Sequence, residues 1–265
     1  MKQTPTLEKL SFDGLETRLL SLNEIVLNRL ENEVKEDQIK HDSARDILIG
    51  EILTEYAKVN PSLDLKLISE AAKISYEAHK GHKRKSGLPY ITHPYQVGYV
   101  LALMGMDSET VAAGLNNDAI EKSGAKRKEI TKMIIGLLGD SVLELVLAVT
   151  RIPIGEIYGT GYDWATQNKI LEMMKKIDSD TRIDAINVAD GISNLLSIDG
   201  LRAGPRNSVD TRLKSLQNSE FYVRPAALRL DNAFDADGNF KFYDFVNLLI
   251  QRGKTNLTDI RHSIK

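Results

Sequence analysis

The sequence predicts an all-α protein, and three observations support this prediction. Apolar residues recur at intervals of three and four along most of the chain, which is the spacing of one face of an α-helix. Residues that favour helix starts and helix ends separate these periodic segments. A strand pattern is evident only in residues 234–242, where Asp237-Gly238 lies between alternating aromatic residues and favours a short hairpin or turn.

The periodic segments define the expected helices in order. The first covers residues 11–40, with the apolar stripe Leu15, Leu19, Leu22, Val26 and Leu30. The others are expected at about 42–60, 62–79, 94–105, 107–122, 126–138, 140–149, 163–177 and 180–197. Ser62 is the expected cap of the third helix. We therefore divide the chain into a helical N-terminal appendage (1–61), a helical core (62–197) and a C-terminal helical extension (198–265) that contains the hairpin or turn.

Bulk composition argues against several classes of function. The 265 residues carry a net charge of −2, so no overall basic field favours nucleic acid or an anionic membrane. Neither a run of 18 apolar residues nor a signal-peptide pattern is found. The absence of cysteine excludes disulfides and thiolate metal sites. We expect a cytoplasmic protein without nucleic acid or membrane as a partner, in which any anion site depends on a local cluster of cations.

Residues that could carry chemistry fall into four clusters. They are Arg84-Lys85-Ser86-Gly87 with Tyr90 and His93; Asn117-Asp118 with Glu121; Asp190 with Asn194; and Asp235-Ala236-Asp237-Gly238. Each has a structural interpretation as well, such as a solvated loop for the basic pair or a helix cap for the histidine. The last cluster is faintly similar to a calcium loop, but neither possible frame is complete, so we interpret it as a polar turn.

Two carboxylates point to a metal more strongly than the rest. Asp118 follows the apolar run 111–115, and Asp190 follows Ile183, Ile186 and Val188, so both are expected on buried helix faces. Buried carboxylates are rare unless they are paired or bound to a metal. Together with the histidine of the first cluster, His93, these residues suggest a divalent cation held by imidazole and oxygen ligands.

The clusters occur together and in an order that resembles a known family. The relevant stretches read AHKGHKRKSGLPYITHP, MGMDSETVAAGLNNDAIEKS, LLGDSVLELVLAVTR and DSDTRIDAINVADGISNL. They resemble the HD-domain hydrolase of the RelA/SpoT-type alarmone enzymes, which use manganese to remove pyrophosphate from the 3′ position of guanosine tetra- or pentaphosphate. The resemblance covers about residues 68–197, and FYVRPAALRLD at 221–231 extends it. It does not include the family's separate synthetase domain, so a small alarmone-hydrolase-like protein is implied.

The resemblance implies a role for each matching residue. The family's four metal ligands correspond to His93, Asn117, Asp118 and Asp190. Its two catalytic acids, which handle the attacking water, correspond to Glu121 and Lys122. Its substrate-binding residues correspond to Arg84 and Lys85 in the basic loop and to Asn194 near the nucleoside.

Three of these positions depart from the family pattern. Asn117 replaces an imidazole ligand, and an amide oxygen binds a transition metal more weakly than an imidazole nitrogen does. Lys122 replaces a carboxylate with a cation, which repels a metal ion and removes a group that could orient water. Gly191 stands where an arginine, a possible helix anchor, usually follows the last metal aspartate.

The leading hypothesis is therefore a protein that binds a guanosine polyphosphate or related nucleotide and hydrolyses it weakly or not at all. The cofactor is manganese or another divalent cation where the site is occupied, or none. One alternative is an active hydrolase with a changed metal or substrate, in which Asn117 coordinates through its oxygen. The other alternative is a non-enzymatic helical interaction module.

Overall fold

The computed structural model describes residues 12–33, 38–150, 180–198, 207–234 and 241–263, and all regular secondary structure in these ranges is helical. The α-helices are α1 (Phe12–Glu33), α2 (Gln38–Val59), α3 (Leu65–His79), α4 (Thr92–Leu103), α5 (Ser108–Leu115), α6 (Ala119–Lys122), α7 (Arg127–Leu138), α8 (Asp140–Val149), α9 (Thr181–Ile198), α10 (Asn207–Asn218), α11 (Arg224–Phe234) and α12 (Phe242–Ser263). A 3₁₀ turn covers Gly124–Lys126, and a π-helical turn covers Ser219–Val223. The all-α prediction is confirmed. Among these helices, none has the length and apolar character needed to cross a bilayer.

Helix α4 lies at the centre of the molecule, and all twelve of its residues are buried. A helix that is covered on every side needs apolar residues on every side, which explains the near-continuous apolar sequence after Pro94. Helices α1, α2, α5 and α9 pack around α4. Because His93 lies in the first turn of α4 and Asp190 lies on α9, this packing brings two predicted site residues together.

The N-terminal helices contribute to the same core as the rest of the chain. Leu15, Leu19, Leu22 and Val26 of α1 are each at most 2% exposed and belong to one hydrophobic cluster that extends to Ile250 of α12. The division of the chain at residues 61 and 198 stays a prediction. The helix expected at 163–177 and the turn at Asp235–Gly238 lie outside the described residues, whereas Phe234 and Phe242 at the ends of the expected hairpin belong to α11 and α12.

Helix starts differ from the sequence prediction at two places. Helix α2 begins at Gln38, about four residues before the expected start. The cap of α3 is Asp64, whose carboxylate accepts hydrogen bonds from the backbone N–H groups of Lys66 and Leu67. Ser62 instead donates its hydroxyl hydrogen to Asn60 Oδ1 at 2.6 Å. The prediction of Ser62 as the cap was wrong because its hydroxyl is used within the turn that precedes the helix.

Candidate functional site

A cavity of about 560 Å³ lies between the loop after α3, the start of α4, the turn after α5 and helix α9. All nine predicted site residues line it: Arg84, Lys85, His93, Asn117, Asp118, Glu121, Lys122, Asp190 and Asn194. The first and the last of these, Arg84 and Asn194, are 110 positions apart in sequence. Their convergence on one cavity follows from the packing of α4 against α9, and the role of each residue stays a proposal.

The basic loop is held in a closed shape by its own backbone. Arg84 donates its N–H to Leu88 O at 2.8 Å, and Gly87 donates its N–H to Arg84 O at 2.9 Å. Gly87 has a φ of +92°, a value that residues with a side chain rarely adopt. A second backbone hydrogen bond, from Tyr90 to His82, closes the base of the loop at 2.8 Å. The loop therefore presents Arg84 and Tyr90 to the cavity from a fixed backbone.

The turn between α5 and α6 positions Asn117 and Asp118. The sequence predicts one helix over 107–122, but the structure has two helices separated at residues 116–118. Asn116 accounts for the break, because its side-chain amide donates to Ala112 O and to Ala71 O, both at 3.1 Å. A side chain that bonds to the preceding helical turn competes with continued helix. Asn117 and Asp118 thus project from a turn, whereas Glu121, the third residue of this predicted cluster, lies on α6.

Asp190 is surrounded by nitrogen atoms. His93 Nε2 lies 3.0 Å from its Oδ1, and Asn117 Nδ2 donates to the same oxygen at 3.2 Å. Asn194 Nδ2 donates to the other oxygen, Oδ2, at 3.0 Å. Hydrogen bonds from two amide groups and a close contact with an imidazole therefore stabilise this carboxylate.

Asp118 is held by an aromatic pair. Tyr90 donates its hydroxyl to Oδ2 at 2.5 Å, and His79 Nε2 lies 3.1 Å from Oδ1. The rings of His79 and Tyr90 stack with their centroids 4.8 Å apart. Burial alone raises the pKa of a carboxyl group, but at Asp118 the contacts with His79 and Tyr90 and the nearby His93 outweigh burial and hold the pKa well below its usual range. Asp118 is therefore an anion at neutral pH.

His79 is a site residue that the sequence analysis missed. It lies at the end of α3, it is 2% exposed, and it supports Asp118 from behind the cavity wall. The sequence does contain a signal, because His79 continues the apolar stripe of Ala71, Ala72 and Ser75. A histidine on a buried stripe needs a polar partner, and that requirement could have pointed to Asp118.

The predicted cations make different contacts. Arg84 donates to Asn194 Oδ1 and to Ser197 Oγ, both at 2.9 Å, and burial lowers its pKa, although it stays charged. Lys122 lies 2.8 Å from Glu121 Oε1, with more than a third of its side chain exposed. Arg84 is therefore fixed by α9, whereas Lys122 is a surface cation paired with the acid next to it.

Two buried oxygens at the cavity bear on whether it fits a divalent cation. Its atoms suit such an ion in kind, because within the described residues Asn117 Oδ1 and Asp118 Oδ1 are buried without a hydrogen-bond partner. Their arrangement does not suit it. In the part of the chain that the structure describes, no three His, Asp or Glu side chains are grouped to hold one ion. The amide group of Asn117 directs a hydrogen, not its oxygen, at Asp190.

The third departure from the family pattern has a packing cause. A Cβ atom on residue 191 would lie 2.4 Å from Cγ1 and 2.5 Å from Cγ2 of Val223, in the π-helical turn. Such distances are shorter than any van der Waals contact, so α9 approaches the C-terminal part closely only because residue 191 is glycine. Gly191 is a close-packing residue, and an arginine cannot be accommodated here without displacing Val223.

The fold and the cavity define a class of protein that sequence comparison also identifies. Residues 71–216, more than half of the chain, match the HD domain family. The protein therefore belongs to the HD domain family, and within it the chain is similar to hydrolases of (p)ppGpp.

Three relatives illustrate this similarity. The bifunctional (p)ppGpp synthase/hydrolase SpoT of Escherichia coli K12 is 32% identical over 149 residues, which are 56% of this chain and 20% of the relative. The guanosine-3′,5′-bis(diphosphate) 3′-pyrophosphohydrolase of Borreliella burgdorferi is 30% identical over 189 residues, 71% of this chain and 26% of the relative. A probable GTP pyrophosphokinase of Mycobacterium leprae is 32% identical over 135 residues, 51% of this chain and 16% of the relative. The chain thus spans about a quarter or less of the length of each relative.

Proposed function

We propose that the cavity binds a guanosine polyphosphate or a related phosphorylated nucleotide and hydrolyses it weakly or not at all. The hydrogen bond from Asn117 Nδ2 to Asp190 carries this proposal. An amide donor occupies the carboxylate lone pair that a metal ion needs, at the position where the family has an imidazole ligand. The Asp190 carboxylate then already accepts hydrogen bonds from two amide groups within the protein.

The cations of the cavity support phosphate binding. Four cations line it, Lys83, Arg84, Lys85 and Lys122, together with three carboxylates, Asp118, Glu121 and Asp190. The cations lining the cavity thus exceed the carboxylates by one, whereas the whole chain has a net charge of −2. Asp118 and Asp190 accept hydrogen bonds from the neutral side chains of Tyr90 and Asn117. A volume of about 560 Å³ lies in the range of small-molecule sites.

Weak hydrolysis follows from the surroundings of Glu121. Its Oε1 accepts a hydrogen bond from Lys122 Nζ at 2.8 Å, so part of its capacity to orient a water molecule is already used. In the family a second acid stands in the place of Lys122. The cavity therefore lacks one of the two acids expected to handle the attacking water.

The decisive experiment is a titration of guanosine tetraphosphate into chelator-treated protein by calorimetry. We expect binding to the wild type, and an affinity about tenfold lower for Lys122→Asp, because a charge-assisted contact with phosphate is lost. Lys126→Asp is the matched control, since it makes the same charge change on an exposed residue near the cavity but outside it. Equal affinities in wild type and Lys122→Asp would contradict a role for Lys122, and absence of binding to both would favour the non-enzymatic interaction module.

A phosphate-release assay with manganese separates weak hydrolysis from full activity. We expect little release from the wild type and a measurable gain in the double variant Asn117→His/Lys122→Asp. An active hydrolase with a changed metal is the second candidate function, and the buried Asn117 Oδ1, which has no hydrogen-bond partner among the described residues, favours it. Stoichiometric bound metal with rapid release in the wild type would select that candidate.

A further inference from the structure

A chain of buried polar side chains connects α1 to His93. Gln96 Nε2 donates to the backbone oxygen of Leu19 at 3.3 Å and to Asn23 Oδ1 at 3.1 Å, both on α1. On its other side, Gln96 Oε1 accepts the hydroxyl hydrogen of Ser193 at 2.6 Å. Ser193 Oγ lies 2.8 Å from His93 Nδ1. Gln96, Ser193 and His93 are each at most 5% exposed, so water does not compete for these contacts.

The direction of each hydrogen bond follows from the first acceptor. A backbone carbonyl oxygen can only accept, so the amide group of Gln96 must turn its nitrogen toward Leu19 and its oxygen toward Ser193. That oxygen can also only accept, so the single hydroxyl hydrogen of Ser193 is committed to it. Ser193 Oγ then has only lone pairs for His93, and His93 Nδ1 must carry a hydrogen.

We propose that α1, acting through Gln96 and Ser193, holds a hydrogen on His93 Nδ1 and fixes the imidazole ring with Nε2 facing the cavity. Nε2 is the nitrogen that lies 3.0 Å from Asp190. A hydrogen bond at one ring nitrogen determines what the other can do, and it also fixes the ring orientation. Gln96 and Ser193 are positioning residues in this arrangement, and α1 supplies its first acceptor.

This arrangement gives the N-terminal helix a role in the site. The sequence alone suggests only an appendage, but Leu19 and Asn23 lie on the face of α1 that packs on α4. A loss of α1 from α4 would expose Gln96 to solvent and free its amide to turn. The inference concerns the state of His93 and does not depend on which phosphate compound the cavity binds, so it can fail while the proposed function holds.

Nuclear magnetic resonance of the histidine rings tests the inference on the full chain. The chain has five histidines, and His93 is assigned by the signal that His93→Gln removes. In the wild type we expect a His93 Nδ1–H signal that exchanges slowly with solvent. In Ser193→Ala and in Gln96→Met we expect this exchange to be about tenfold faster or the signal to be lost, because the buried acceptor is removed or freed to rotate.

A matched control separates the loss of this hydrogen-bond chain from a general loosening of the fold. Ser75→Ala also removes a buried hydroxyl, and Ser75 Oγ has no hydrogen-bond partner among the described residues. It should leave the Nδ1–H signal unchanged. Asn23→Ala, which removes one of the two acceptors on α1, should speed exchange of the Gln96 amide hydrogens and affect His93 less than Gln96→Met does. A wild-type ring protonated only on Nε2, or a Nδ1–H signal unchanged in both Ser193→Ala and Gln96→Met, would overturn the inference.

Discussion

Asp118 and Asp190 line the same cavity, but the protein holds them by different means. Asp190 contacts three nitrogen-bearing side chains, and one of them, Asn117, is a departure from the family pattern. Asp118 contacts His79 and Tyr90, and in the part of the chain that the structure describes its Oδ1 makes no aligned hydrogen bond. The comparison teaches that the substitution at residue 117 changes the surroundings of the distant Asp190 more than those of its neighbour Asp118.

The largest expected effect comes from replacing the amide that donates to Asp190. Asn117→His removes that donor and adds an imidazole, so we expect manganese affinity to rise by about 10- to 100-fold, as changes in or around a ligand shell commonly do. Isothermal titration of manganese measures this change. Asn187→His is the control, because it adds an imidazole to the same cavity without replacing the group that contacts Asp190. An equal gain in the control, or tight stoichiometric manganese in the wild type, would show that Asn117 does not limit metal binding.

The second prediction concerns the Asp118 side of the comparison. Tyr90→Phe removes a buried hydroxyl that donates to a carboxylate, which we expect to lower the free energy of unfolding by about 1.5–3 kcal/mol at pH 7. Denaturant titration measures the change. Tyr222→Phe removes a hydroxyl from an exposed side chain on the π-helical turn and should have little effect. If both variants are equally stable, the Tyr90–Asp118 contact contributes nothing.

The same variant should show a defined pH dependence. The pKa of Asp118 is lowered in the folded protein, so its contribution to stability is present above the unfolded value of about 3.9 and is lost as the pH falls through the folded value. The difference in unfolding free energy between wild type and Tyr90→Phe should therefore be full at pH 7 and shrink below about pH 4. A difference that grows toward acid pH would contradict this sign.

The third prediction concerns the packing beside Asp190. Gly191→Ala forces a methyl group against Val223, so we expect a loss of about 1–3 kcal/mol of stability. Combining it with Val223→Ala should recover part of that loss, which a double-mutant cycle measures. Gly136→Ala in α7 is the matched control, because a Cβ there meets no described atom within 4 Å and alanine favours a helix. Additive effects of the two substitutions would show that the close contact carries no strain.

The smallest expected effect concerns α1. This helix is linked through Gln96 and Ser193 to His93, which contacts Asp190. Arg29 on α1 donates from Nε to Glu51 on α2 at 3.0 Å, and this hydrogen bond lowers the pKa of Glu51. The contribution of this hydrogen bond to stability is fully present above the unfolded pKa of glutamate, about 4.3, and it is lost as the pH falls through the lowered pKa of the folded state. Glu51→Gln should mimic that loss at pH 7 and slightly speed hydrogen exchange in α1, since surface ion pairs contribute little. Exchange in α6, near Asp118, should not change.

The sequence predicted the fold, and which residues line the cavity, better than it predicted the contacts among those residues. Periodicity and the order of the motifs are local signals, and they were sufficient for α7, α8 and α9. The break at Asn116 was missed because its cause is a hydrogen bond to Ala71, 45 residues away. His79 and Ser193 were missed for the same reason, since each acquires its partner only when separate helices pack. Gly191 was noticed as a departure, but its cause became visible only with Val223 in place.

The contact between Gly191 and Val223 also constrains how this chain can change in evolution. An arginine at residue 191, as in the family pattern, requires space that Val223 now fills. A single substitution of Gly191 by arginine is therefore expected to lower stability, whatever it adds to the site. A compensating change at residue 223 has to come first or arrive together with it. Introducing the arginine of the family pattern therefore takes two coupled changes, one on α9 and one in the C-terminal segment that packs against it.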